Sequence, residues 1–68
     1  MTDEQADIFL RALRRAQAEF LEMPGLQLTV AQAARLWNFD SALCTAVLGK
    51  LVEQRFLIET RKHCFARA

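Results

Sequence analysis

His63 and Cys64 are adjacent, and an imidazole beside a thiol is a pairing from which metal sites and nucleophilic centres are built. A structural zinc ion needs four such ligands. The only other cysteine, Cys44, has neither a histidine nor a cysteine beside it. With one histidine and two cysteines in the chain, no second pair at zinc spacing exists, and no metal ligand is assigned. Catalysis meets the same shortage. His63 has no evident nucleophile and orienting partner, and no glycine-rich phosphate loop is present, so no catalytic residue and no cofactor is assigned. Two cysteines are too few for a disulfide scaffold, which leads us to expect reduced thiols in a cytoplasmic protein. Arg11, Arg14 and Arg15 form the densest group of cations. Asp7 and Glu19 lie four residues from Arg11 and Arg15, so this group reads as a solvated, ion-paired helix face.

Length and composition narrow the function further. Sixty-eight residues hold one domain, 1–68. A chain of this size buries only about 60% of its unfolded surface and needs an unusually apolar interior. The chain has one: 53% of it is hydrophobic, with five Phe and one Trp, against 25% charged and a net charge of +1. That balance excludes a disordered chain. No apolar run approaches the roughly 20 residues of a transmembrane helix, and Met1-Thr2-Asp3-Glu4 is acidic where a signal peptide is basic. No membrane association is expected. The net charge conceals a split. Residues 1–28 carry three basic and five acidic groups, for −2, whereas residues 29–68 carry six basic and three acidic groups, for +3. A small non-enzymatic binding protein is the expectation.

The elements that must position these residues follow from pattern. Residues 3–22 lack Gly and Pro and repeat Phe9, Ala12, Leu13, Ala16 and Phe20 at three- and four-residue steps, which predicts a helix with one buried stripe. Thr2 to Gln5 reads as its capping box, and Met23-Pro24-Gly25 ends it. Leu26-Gln27-Leu28 is a short strand or an extended linker. A second capping box, Thr29 to Gln32, opens a helix over 30–37. Asn38 tolerates the left-handed conformation of a tight turn, and Asp40 or Ser41 caps a third helix over 41–54 that turns Cys44, Val47, Leu48 and Leu51 to one side. In the tail, Phe56 to Thr60 and His63 to Arg67 are rich in strand formers around the polar pair Arg61-Lys62, which predicts a β-hairpin over 56–67. The fold class is α+β, mainly α: three helices followed by a short hairpin.

The middle of the chain is more specific than this order. Two helices that cross steeply through a short turn need small residues at the crossing, a residue able to take positive φ, and an apolar plug. Ala33 and Ala34, then Asn38, then Phe39 meet these needs in register, with Cys44 and Val47 closing the core from the next helix.

In these residues the chain resembles the winged helix-turn-helix domains of bacterial transcription regulators. Leu28 to Asp40 is similar to their first helix and turn, and Val47 to Leu57 to the end of their recognition helix leading into the wing. Asn38 stands where the family usually has Gly in the turn, and Arg55 where it often has Gly before the wing. The resemblance covers about residues 26–67 and implies binding of double-stranded DNA and transcriptional regulation, with helix 41–54 in the major groove and the 56–67 wing beside it. It further implies that Ser41 and Thr45 meet bases or phosphates, Lys50 and Arg35 grip phosphate, and Arg61 and Lys62 reach the flanking backbone from the wing tip. The outward face of helix 41–54 lacks the Arg, Asn and Gln that discriminate bases best. A protein-interaction module on the same scaffold, serving as inhibitor, adaptor or assembly subunit without DNA, is therefore the alternative.

Apolar residues also exceed what the stripe on the first helix uses. Ile8, Leu10 and Leu21 lie outside it, and exposed apolar surface usually marks an interface. A protein interface there is expected, with helix 3–22 packing against either a second copy, as a homodimer, or another protein.

Overall fold

The computed structural model describes residues 3–68. Its elements are α1 (Asp3–Glu22), α2 (Val30–Trp37), α3 (Ser41–Glu53), β1 (Leu57–Glu59) and β2 (Phe65–Arg67). The α+β, mainly α layout of three helices followed by an antiparallel hairpin is the one expected. Thr2, expected to cap α1, lies outside the described residues.

α3 is the centre of the packing: α1, α2 and β1 all rest on it. Ala12, Ala16 and Phe20 come in from α1, Ala33 and Trp37 from α2, and Cys44, Val47, Leu48 and Leu51 from α3. Leu28, Leu57 and Phe65 close the hairpin end. Phe9 and Leu13, assigned to the stripe of α1, border this core as half-buried residues. The small side chains of Ala12, Ala16 and Ala33 let the helices approach, and the bulk between them is Trp37. Its ring meets Phe20 edge-on at 6.1 Å between centroids and Phe39 at 5.8 Å.

Local chemistry sets each boundary. Thr29 and Gln32 form a reciprocal capping box: the Gln32 amide donates to Thr29 Oγ1 at 3.1 Å, and the Thr29 amide donates to Gln32 Oε1 at 3.0 Å. Asn38 ends α2 with φ 56° and ψ 45°, in the left-handed conformation. Asp40 then caps α3, its Oδ1 accepting from the Leu43 amide at 2.7 Å. Asp7 and Arg11 form their i,i+4 ion pair at 2.9 Å, but Arg15 and Glu19 form none. The hairpin pairs Leu57 with Arg67 and Glu59 with Phe65. Leu28 adds a single bridge on the free edge of β2, exchanging two backbone bonds with Phe65 at 3.1 and 2.7 Å. The extended segment before α2 is thereby tied to the tail.

α3 stops at Glu53, one residue short of the expected end, because Gln54 is its cap. The Phe56 amide donates to Leu51 O and the Arg55 amide to Val52 O, both at 2.9 Å, which is the bond pair of a Schellman motif. That motif requires a left-handed residue, and Arg55 supplies it at φ 64°. Neither glycine of the chain takes a positive φ, whereas Asn38, Arg55 and His63 all do. A side chain in this conformation costs about 1–2 kcal/mol, of which glycine's greater freedom in the unfolded chain offsets about half. Arg55→Gly is expected to stabilise the fold by about 0.5–1 kcal/mol, raising the melting midpoint by several degrees. Thermal melts checked by far-UV circular dichroism read this directly, and a lowered midpoint would show that the Arg55 side chain makes a stabilising contact.

Candidate functional site

α3 turns Cys44, Val47, Leu48 and Leu51 inward, and all four are fully buried. At about 100° per residue, the opposite side carries Ala42, Thr45, Ala46 and Gly49, all exposed. Ser41 and Lys50 are exposed as well but fall on the two edges of this face, half a turn of helix apart. No carboxylate occurs between Ser41 and Lys50. Glu53 lies one turn further on, its Oε2 3.8 Å from Lys50 Nζ. Exposed pairs of this kind are worth about 0–1 kcal/mol, so Lys50 can exchange it for another anion.

Gly49 is the unusual residue of the face. A Cβ built there meets nothing within 4 Å, so no neighbour in the fold requires glycine. Its presence nonetheless costs the helix about 1 kcal/mol relative to alanine.

Arg35 is exposed in the last turn of α2, where the helix dipole favours a cation. With Ala31, Gln32 and Leu36 it lines a shallow, mostly apolar depression on that helix. Arg61 and Lys62 are exposed at the tip of the hairpin. Thr60 organises that tip: its Oγ1 accepts from the amides of Lys62 and Cys64 at 3.3 and 3.2 Å, and its carbonyl accepts from the His63 amide at 3.0 Å. His63 completes the turn at φ 60° and sets its Nδ1 3.2 Å from Glu59 Oε2. Among the described residues, neither Arg61 nor Lys62 takes part in an ion pair, which leaves both charges available.

The thiols differ in setting. Cys44 is buried and its Sγ donates to the Val30 carbonyl at 3.6 Å, linking α3 to the start of α2. Burial pushes its pKa up, so it stays a protonated thiol. Cys64 is half-buried at the hairpin. Among the described residues, no group of three or more His, Cys, Asp or Glu stands close enough to hold a metal ion.

Ile8, Leu10 and Leu21 are each about half exposed, at 49%, 48% and 55%. They do not form one patch. Leu10 and Leu21 stand on the same side of α1, whereas Ile8 is about 200° round from Leu10. Met23, Leu36 and Ile58 are further exposed apolar residues. Helical period accounts for the exposure of Leu36, which lies about 100° round α2 from Trp37, on the side away from the half-buried Val30 and Ala34. Among the described residues, no helix is long and apolar enough to cross a membrane. Compared with known protein families, curated proteins and solved structures, the chain finds no match.

Proposed function

We propose that this chain is a non-enzymatic, double-stranded DNA-binding protein of the winged helix-turn-helix kind, serving transcriptional regulation. In this reading α3 enters the major groove and the Leu57–Arg67 hairpin acts as the wing. The observation that carries it is the exposed side of α3. Ala42, Thr45, Ala46 and Gly49 keep its surface low, and Gly49 has no internal reason to be glycine. Close approach of the helix backbone to a partner is the remaining use for that residue. Lys50 borders the face, and Arg35, Arg61 and Lys62 are exposed on the elements either side of it in the chain. A low helix face with no carboxylate from Ser41 to Lys50, and with exposed cations on the neighbouring elements, suits a polyanion with a groove, Glu53 marking the end of that face.

Salt dependence tests this. Four phosphate contacts predict a slope of log affinity against log salt of about −3 to −4, which is roughly a hundredfold loss between 50 and 200 mM. The double variant Arg61→Ala/Lys62→Ala should reduce that slope by about 2. A random-sequence duplex labelled with a fluorophore is sufficient. Absence of binding at 20 mM salt contradicts the reading.

A second reading rests on Leu36 and Ile58, which are 53% and 49% exposed. A protein-interaction module would use such residues as anchors, and its binding would be only weakly sensitive to salt.

A further inference from the structure

We propose that two copies of this chain associate weakly by pairing their first helices antiparallel, along the edge of α1 that carries Ala6, Leu10, Leu13 and Gln17. These positions recur at steps of four, three and four, the spacing of a helix–helix seam. Leu10 is 48% exposed, and Ala6, Leu13 and Gln17 are half-buried. The seam thus runs along the border between the core-facing side of α1 and solvent. On its outer side stand Asp7 and Arg14, two turns apart on one line. Both are exposed; Asp7 shares its carboxylate with Arg11 of its own helix, a solvent-exposed pair worth little, and among the described residues Arg14 takes part in no ion pair.

Charge decides the occupant. The outer line is acidic at Asp7 and basic at Arg14, so it complements its own copy run in the opposite direction. With Leu10 of one copy against Leu13 of the other, Ala6 meets Gln17 and Asp7 comes opposite Arg14. The two-fold axis makes every one of these contacts twice. Parallel two-fold pairing would instead carry the two outer lines to opposite sides of the seam, so that Asp7 and Arg14 meet no complementary charge across it. Ile8 lies round the helix from this seam, and Leu21 lies beyond the paired span. A single seam of this length belongs to the smallest class of interfaces, below about 1,200 Å² in total. The dimer is therefore one that forms at high micromolar concentration. It does not depend on the DNA reading, although it would double the phosphate contacts of each complex.

Sedimentation equilibrium of the whole chain at low salt, from about 10 μM to 1 mM, tests the pairing. The mass should rise from the monomer's 7.8 kDa towards twice that value. Asp7→Arg and Arg14→Asp should each weaken association at least tenfold, and the double variant carrying both should recover it, because the pairing is only inverted. Leu10→Lys, on an exposed position, should remove association altogether. Circular dichroism confirms that each variant retains its helices. A wild-type chain that stays monomeric at 1 mM overturns the proposal. So does a double reversal that fails to recover association, since the contact then lies elsewhere.

Discussion

Trp37→Ala is expected to leave the chain largely unfolded at 37 °C. The indole is only 1% exposed and is the largest side chain in the core, held between Phe20 and Phe39. Removing a buried aromatic of this size costs about 3–5 kcal/mol. At about 0.05–0.15 kcal/mol per residue, a domain of this length has only about 3–10 kcal/mol to lose. One offset exists. Among the described residues Trp37 Nε1 is buried with no hydrogen-bond partner, so its deletion also removes an unsatisfied donor worth about 1–3 kcal/mol. That places the alanine cost towards the lower end of its range. It also predicts that Trp37→Phe, which keeps the edge-on contact and drops the N–H, costs much less. Urea titrations followed by far-UV circular dichroism separate these outcomes. An alanine variant with a near wild-type midpoint would contradict the placement of Trp37 as the centre of the core.

Thr45→Glu should leave the fold intact and remove the proposed binding of DNA. Thr45 is exposed in the middle of the low face of α3, and glutamate is a better helix former than threonine. The melting midpoint should therefore hold or rise slightly. A carboxylate at this point would face phosphates and base edges across a desolvated gap. The expected penalty is at least the about 1–3 kcal/mol of a lost good contact, a loss of five- to more than a hundredfold. Wild-type affinity in a folded Thr45→Glu protein would mean that α3 does not enter the groove.

Much of the fold could be read from local chemistry because each helix start has its own signal. Thr29 and Gln32 cap each other, and Asp40 caps α3, so two starts were legible within a few residues of sequence. What depended on distant partners was not. The bridge at Leu28 forms only because Phe65 arrives on β2 at the other end of the chain, and alternation at Leu26-Gln27-Leu28 cannot reveal it. Arg55 stands where a left-handed backbone favours glycine. The Leu51 and Val52 carbonyls impose the left-handed turn on whichever residue occupies it. By residue type Thr60 is only the end of a strand, yet its hydroxyl builds the turn that presents Arg61 and Lys62. For the candidate site, exposure of Ser41, Thr45 and Lys50 followed from helical period. The period also separates Ser41 from Lys50 and Ile8 from Leu10, a distinction that residue type does not convey.

In the proposed complex α3 and the hairpin tip together form the surface that meets duplex DNA. Backbone amide shifts of the isotopically labelled chain, recorded while a short duplex is titrated in at low salt, test it most directly. The largest changes are expected at Ala42, Thr45, Ala46 and Gly49 and at Arg61 and Lys62, with the charged side of α1 around Arg11 and Arg15 left unmoved. Changes confined to α1 or to the surface around Leu36, or no change at all, would contradict it.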